Sequence, residues 1–202
     1  PLLLDAELVN SFLKVLFEHF PFIQINLNIH NALSSNFKYA SSRLNHELDL
    51  VYPYSELTKA YSKNLKRNIK KAQKAELTIF KNLTPEILIQ LFRDHKGKTL
   101  KAYSKSDYQT LNRLAYKAIS LGKAEVWGAY TKKNELCAGA MFFRDTRRFV
   151  FLFSASNEEA KTNGAIPYLL DSFIEAYSEE KMILDFEGSN DPGLARFYGG
   201  FG

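Results

Sequence analysis

Three strand-like segments followed by one helix and a fourth strand constrain the fold of this chain more than any other feature. The segments AEVWGAY (124–130), ELCAGAMFF (135–143) and RFVFLFSAS (148–156) are separated only by the polar turns TKKN and RDTR. Strands joined by tight turns pair antiparallel. The helical segment NGAIPYLLDSFIEAY (163–177) and the strand KMILDFEGS (181–189) then form a right-handed parallel crossover with the third strand. The sequence therefore predicts a mixed α/β (α+β) fold, with helices flanking a mixed central sheet.

The first fifty residues carry weaker patterns. Residues 4–20 have apolar positions at helical spacing, and FIQINLNI (22–29) alternates with period two, which predicts a helix and then a strand. The segment ASSRLNHELDL (40–50) is a further predicted strand, leading into a turn at Pro53.

The middle of the chain alternates helices with one short strand. ELTIF (76–80) is a predicted strand, and Thr84 followed by Pro85 is typical of a helix start. A further helix is predicted over 107–121, ended by Gly122.

The positive charge is concentrated in one segment, KNLKRNIKKAQK (63–74), which holds six cations and no acid. The net charge is +5, so five minus six leaves the rest of the chain at −1. Helical spacing places an apolar face opposite a cationic face. This face is either an ordinary solvated surface or an anion site for the phosphates of a ligand or of RNA. The six candidate phosphate-binding residues are Lys63, Lys66, Arg67, Lys70, Lys71 and Lys74.

Several classes of chemistry find no support in the sequence. The histidines, at positions 19, 30, 46 and 95, lack ligand spacing, so we predict no metal site. There is no glycine-rich phosphate loop and no G-x-S-x-G elbow. The single cysteine, Cys137, lies in an apolar run that favours a buried, inert thiol. An enzyme of this sequence is expected to position two substrates for direct transfer.

The location and extent of the chain are also expectations. No apolar run reaches the roughly 18 residues of a membrane span, and the opening PLLLDAELVN carries an acidic pair where a signal peptide is basic. We therefore expect a cytoplasmic protein without a membrane span. The basic segment lacks aromatic residues for base stacking, and we predict no DNA partner. The start at Pro1 and the end at Gly202 suggest a fragment.

The order of elements from Leu77 onward resembles that of the GNAT-superfamily acyltransferases. The motifs SKNLKRNIKKAQKAELTI and LDFEGSNDPGLARFYGGFG resemble the Fem-like (FemAB-type) branch, which includes the aminoacyltransferases of peptidoglycan synthesis. The resemblance implies a GNAT-like fold and an acyltransferase activity. It also implies two modules in tandem: residues 1–50 would be the C-terminal part of a preceding module, and residues 51–202 a second, truncated domain. Its missing C-terminal strands would leave the sheet edge open.

The resemblance places a donor site before the long helix, where backbone N–H groups would bind the pyrophosphate of an acyl-CoA or acetyl-CoA co-substrate. Alternatively, the glycine of this turn only lets the chain enter the helix. The resemblance also assigns Asn190, which lies in the C-terminal motif, to the same site. The candidate donor-binding residues are Lys161, Thr162, Asn163, Gly164, Ala165 and Asn190.

Catalytic candidates lie near the C-terminus. By resemblance, Tyr198 would protonate the departing thiolate. Alternatively, it is an aromatic residue at the rim of the core whose hydroxyl group is hydrogen-bonded. Fem-type transferases carry a lysine there, so the tyrosine favours a thioester donor. Asp185 and Glu187 stand two apart on one predicted strand, where they would share a face, and burial could raise the pKa of one to make it a base. Alternatively, the pair caps the next turn or forms an ion pair with Arg196.

Three functional hypotheses follow. In the first, an acyl group moves from acyl-CoA to a small-molecule or peptidyl amine. In the second, an aminoacyl group moves from charged tRNA to a peptidoglycan precursor, and the basic helix holds phosphates. In the third, the chain is a non-catalytic binding module that keeps the GNAT fold.

Overall fold

The computed structural model describes residues 6–27, 31, 33, 40–100, 103–188 and 190–202, which belong to two compact units, Pro1–Ser42 and Arg43–Gly202. The first unit contains helix α1 (Ala6–His19), within the helix predicted over 4–20. Residues 22–27 are irregular, so the strand predicted there is wrong. The last two residues of that prediction, 28 and 29, lie outside the described residues.

The second unit is built on a mixed sheet with strand order β1-β6-β5-β4-β3-β2. Its strands are β1 (Asn45–Asp49), β2 (Thr78–Phe80), β3 (Ala124–Tyr130), β4 (Leu136–Arg144), β5 (Arg148–Ser156) and β6 (Ile183–Gly188). Its helices are α2 (Tyr54–Ala60), α3 (Lys63–Lys74), α4 (Pro85–Asp94), α5 (Lys105–Ser120), α6 (Glu158–Asn163), α7 (Ala165–Tyr177) and α8 (Pro192–Tyr198), with a 3₁₀ turn at Lys96–Thr99. The predicted antiparallel meander and the parallel β5–β6 crossover are confirmed.

Helices cover both faces of the sheet, because the side chains of each strand alternate between two apolar cores. On one face, Trp127 and Phe142 pack with Phe173 of α7, and α3 joins the same core. On the other face, Val126 and Met141 pack with residues of α4 and α5. Each layer of helices is therefore packed against its own apolar core on one face of the sheet.

Local signals set most helix starts. Ser104 and Asp107 form a capping box, so α5 begins at Lys105, two residues before the predicted start. Ser62 caps α3 by accepting the Leu65 N–H at 3.2 Å. Thr84 occupies the predicted position before α4, but its side chain makes no capping hydrogen bond there.

The C-terminal strand is paired at the edge predicted to be open. β1 pairs antiparallel with β6, and Leu48 lies opposite Leu184. The prediction of an open edge is therefore wrong, since a strand from before residue 50 fills that position. Of the strand predicted over 40–50, only Asn45–Asp49 is regular.

The parallel strands β5 and β6 pair over the first part of β5 and then separate. In the described residues, the pairing of β5 with β6 covers three positions, Arg148–Val150 with Ile183–Asp185. β5 stays paired with β4 as far as Ser156. The second half of β5 thus lacks a β6 partner, and the candidate site lies at this divergence.

Candidate functional site

Tyr198 lies at the end of α8, beside the point where β5 and β6 diverge. Its ring stacks on Phe186 of β6 at a centroid distance of 5.2 Å and stands edge-on to Phe151 of β5 at 6.3 Å. Burial, and then the charge of Glu187, raise the pKa of Tyr198 above its ordinary value. The hydroxyl therefore keeps its proton at neutral pH and can serve as a hydrogen-bond or proton donor.

Asp185 is held in an ion pair. The Arg148 guanidinium contacts its Oδ2 and also lies 2.6 Å from Glu47 Oε1. Asp185 Oδ1 accepts the N–H of Glu187 at 2.8 Å, so the carboxylate also caps the turn, as one of the two interpretations expected. The ion-pair partner is Arg148 rather than Arg196. A carboxylate that is 8% exposed and committed to these partners is poorly suited to act as a base.

Glu187 sits in a β-bulge. The β1–β6 register shifts between Asn45 and Glu47, and Glu187 has a φ of 62°, a left-handed conformation that non-glycine residues seldom adopt. The prediction that Asp185 and Glu187 share one face is wrong, because the bulge breaks the alternation. Asp185 is buried and Glu187 is exposed.

His46 is a member of this site that the sequence did not reveal. It lies on β1 at the shifted register, with its ring 6.0 Å from that of Tyr198. No local pattern marks it, since it reaches the site only through the pairing of β1 with β6. A cross-strand contact of this kind has no short-range signal.

The predicted donor turn has few free N–H groups. Gly164, with φ 79° and ψ 26°, ends α6 and begins α7. The Ala165 N–H donates to Asn163 Oδ1 at 3.1 Å, and the Tyr168 N–H donates to the Gly164 carbonyl at 3.1 Å. Pro167 has no N–H to offer. At this helix start, the N–H groups of Gly164 and Ile166 have no partner among the described residues, whereas anion sites at helix starts use several.

Helix α3 also covers this turn. A Cβ placed on Gly164 would lie 2.3 Å from the Asn68 carbonyl oxygen of α3, and Ala165 is fully buried. Lys161 and Thr162 are directed elsewhere: Lys161 pairs with Glu158 at 2.6 Å, and the Thr162 hydroxyl donates to a backbone carbonyl at 2.8 Å. The packing of α3 and these hydrogen bonds leave little of this turn open to the pyrophosphate of coenzyme A. Asn190 is exposed and lies apart from the turn, between β6 and α8.

The outer face of α3 carries the predicted basic stripe. Leu65, Ile69 and Ala72 are buried against the core, and all six cations are exposed. In the described part of the chain, none of the six lies within ion-pair distance of a carboxylate. The start of α3 is joined to the segment that follows α8, because the Ser62 N–H donates to the Gly200 carbonyl at 2.9 Å.

Two further predictions can be compared with the structure. Cys137 is fully buried, and burial raises the pKa of its thiol, which confirms the interpretation as an unreactive cysteine. Within the described ranges, no helix is long and apolar enough to cross a bilayer.

The antiparallel meander, the parallel β5–β6 crossover through α7 and the divergence of these two strands match the architecture of GNAT-type domains. The sequence agrees, since residues 59–192 match the sequence model of the acetyltransferase (GNAT) domain family. The chain belongs to this family. Comparison with curated protein sequences finds no match.

Solved structures share the fold at low sequence identity. FemX is 13% identical, with a TM-score of 0.62 over 78% of this chain and 57% of its own. A conserved protein of unknown function from Bacteroides thetaiotaomicron is 11% identical, with a TM-score of 0.57 over 79% and 55%. A chain described as the C-terminal domain of a lysylphosphatidylglycerol synthetase from Agrobacterium fabrum is 14% identical, with a TM-score of 0.51 over 78% and 55%. The chain thus spans little more than half the length of these proteins, and the likeness establishes a Fem-like GNAT fold.

Proposed function

We propose that this protein is an N-acyltransferase that moves an aminoacyl group from charged tRNA to an amine acceptor. The observation that carries the proposal is the position of α3: it covers the turn where coenzyme A would be expected, and its outer face exposes six cations that have no carboxylate partner among the described residues. The preceding module predicted in residues 1–50 and the domain predicted in residues 51–202 are part of the same proposal.

The length of the stripe suits a nucleic acid. A helix of 12 residues at about 1.5 Å per residue is about 18 Å long. Cations spread over that length can contact several successive phosphates of one nucleic-acid strand. The stripe therefore offers more positive charge than the pyrophosphate and 3′-phosphate of coenzyme A require. Because it lacks aromatic residues, it would hold the backbone rather than recognise bases.

Tyr198 supplies the chemistry at one end of the stripe. Its raised pKa keeps the phenol protonated, so it can donate its proton to the ribose oxygen that leaves when the ester breaks. The unpaired half of β5 leaves room at the same place for a small-molecule or peptidyl amine acceptor.

Acyl-CoA is the second candidate donor, and the divergence of β5 and β6 favours it. Unpaired backbone groups of β5 can bind the amides of an extended pantetheine arm, as a sheet edge binds an added strand. A tyrosine in place of the Fem-type lysine also suits a thiolate leaving group. The phosphates would then bind to α3, since the turn before α7 does not fit them.

Thermal stability of the protein with each donor compound tests the proposal. Bulk tRNA should raise the melting temperature at low salt, with a smaller shift at moderate salt, because phosphate contacts release counterions. Reversing three charges, with Lys66→Glu, Arg67→Glu and Lys70→Glu, should remove the shift. In a binding titration, log affinity falls as log salt concentration rises, and the same three substitutions should make this negative slope shallower by about 2–3.

A matched control reverses three exposed lysines away from α3 and makes the same change in net charge. Its substitutions are Lys96→Glu, Lys98→Glu and Lys105→Glu. Retention of the tRNA shift in this control supports a site on α3, whereas equal loss in both variants contradicts it. A shift with acetyl-CoA and none with bulk tRNA would favour the second candidate, and the α3 reversal should weaken that shift, because α3 would hold the phosphates. The absence of any shift would favour the non-catalytic module.

A further inference from the structure

We infer that His46 is the base that takes the proton from the acceptor amine, and this inference rests on the proposed N-acyl transfer. An amine with an ordinary pKa arrives as an ammonium ion, which has no lone pair to attack a carbonyl. An acyltransferase of this type therefore needs a proton acceptor within reach of the reacting carbonyl.

The position of His46 meets this requirement. β1 and β6 change register at this residue, and the β6 residue that absorbs the shift is Glu187, with its left-handed backbone. β-bulges and backbone outliers of this kind are frequent beside active sites, where they redirect side chains. The ring of His46 lies 6.0 Å from that of Tyr198 and is tilted by 58°. A Cβ on Gly199, just after α8, would lie 4.0 Å from His46 Cδ2.

Among the described residues, the Nδ1 atom of His46 has no hydrogen-bond partner. It is buried beside the aromatic cluster of Tyr198, and no donor or acceptor of the described residues reaches it. Buried polar atoms are nearly always paired, because leaving one unpaired costs roughly 1–3 kcal/mol. The ammonium group of a bound acceptor would supply the missing partner.

The rest of the ring completes the path for the proton. His46 is only half-buried, so its outer edge reaches solvent. In the tautomer with the proton on Nε2, Nδ1 has a lone pair that no described residue uses, and this lone pair can accept a proton. The Nε2 proton then passes to water, which returns the imidazole to a neutral form.

The other titratable groups around His46 are less suited to this role. Asp185 on β6 is already paired with Arg148. Glu187 on β6 is exposed and acts on Tyr198 of α8 through its charge, so it attracts an ammonium ion without enclosing it. Tyr198 keeps its proton at neutral pH and serves as a donor.

The reaction balances with these two residues. The ammonium ion gives one proton to His46 Nδ1, and the resulting amine attacks the acyl carbon. The C–N bond forms, and the bond from the acyl carbon to the leaving oxygen or sulfur breaks. Tyr198 protonates the leaving group and regains a proton from the new amide nitrogen. The net change converts an ammonium ion and an ester or thioester into an amide, an alcohol or thiol, and one free proton.

The test measures kcat/KM with two acceptors, lysine and hydroxylamine. Each is assayed with four proteins: wild type, His46→Gln, Glu187→Gln and the control His95→Gln. The donors are bulk aminoacylated tRNA and acetyl-CoA, and wild type determines which one is used. Lysine arrives as an ammonium ion, whereas hydroxylamine is neutral near neutral pH and needs no base. His46→Gln should lower kcat/KM for lysine by about 10²–10⁴-fold and remove the rise of rate with pH, while leaving hydroxylamine within a few-fold. His95→Gln should match wild type with both acceptors.

Other outcomes overturn the inference in distinguishable ways. Equal losses of His46→Gln with both acceptors would indicate a structural role, and a loss confined to Glu187→Gln would make that carboxylate the base. Wild-type transfer with an unchanged His46→Gln would refute the role of His46 alone. If wild type transfers to neither acceptor from either donor, the proposed function fails and the role of His46 fails with it.

Discussion

Replacing Gly164 with alanine tests whether α3 covers the start of α7. Gly164 has a φ of 79°, and an added Cβ would lie 2.3 Å from the Asn68 carbonyl oxygen. No real Cβ approaches a backbone oxygen this closely, so α3 and α7 must move apart. The substitution therefore carries both a conformational cost and a packing cost.

The two costs can be estimated separately. A left-handed conformation costs a non-glycine residue roughly 1–2 kcal/mol. Forcing an extra methyl group into a packed contact costs about 1–3 kcal/mol. Gly164→Ala should therefore lower the free energy of unfolding by about 2–5 kcal/mol.

Gly122 offers a matched control. Its φ is 63°, but an added Cβ would meet nothing within 4 Å. Gly122→Ala should therefore carry the conformational cost alone, about 1–2 kcal/mol. Urea unfolding of both variants followed by circular dichroism gives the difference directly. Equal losses would refute the close contact between α3 and the α7 turn, and with it the argument that this turn cannot bind pyrophosphate.

Two further predictions concern buried carboxylates. Burial raises the pKa of Asp171 above its ordinary value despite the 2.9 Å hydrogen bond from the Tyr54 hydroxyl, so stability falls as pH rises through the raised pKa. Asp171→Asn should unfold at higher urea than wild type in neutral buffer and lose this advantage in acid; a constant advantage at every pH would contradict the assignment. Arg148→Met should lower the free energy of unfolding by roughly 1–3 kcal/mol, because it leaves the Asp185 carboxylate buried without a cation. Adding Asp185→Asn to Arg148→Met should recover much of that loss, because it removes the unpaired carboxylate. Identical urea unfolding curves for the single and the double variant would show that the buried Asp185 carboxylate does not cause the loss of stability.

Periodic segments explain how much of the fold could be predicted. The apolar alternation of β3, β4 and β5 and the amphipathic pattern of α3 are long enough to identify each element alone. Helices α2 and α6 were missed because seven and six residues do not complete enough turns to show a period. The alternation over residues 22–27 did not lead to a strand, since a pattern of period two makes a strand only where a neighbouring strand pairs with it.

The residues of the candidate site also differ in whether a local pattern in the sequence could predict them. Tyr198 and Glu187 were predicted because they lie in one short motif whose resemblance could be recognised. His46 was not, because the chain between β1 and β6 has to fold before the two strands meet. Gly164 was noticed for its conformational freedom, but its contact with Asn68 depends on how α3 packs, which no local pattern encodes.

The pairing of β1 with β6 also has a kinetic consequence. Asn45 and Gly188 are partners across almost the entire second unit, so closing this ladder requires one very long loop. Long-range contacts slow folding, because their entropy cost is met before they contribute any stability. The meander of β3, β4 and β5 has mostly local contacts and should form early, with β1 docking last. His46 and Tyr198 would then meet only in the final step, and catalytic competence during refolding would lag behind the recovery of secondary structure.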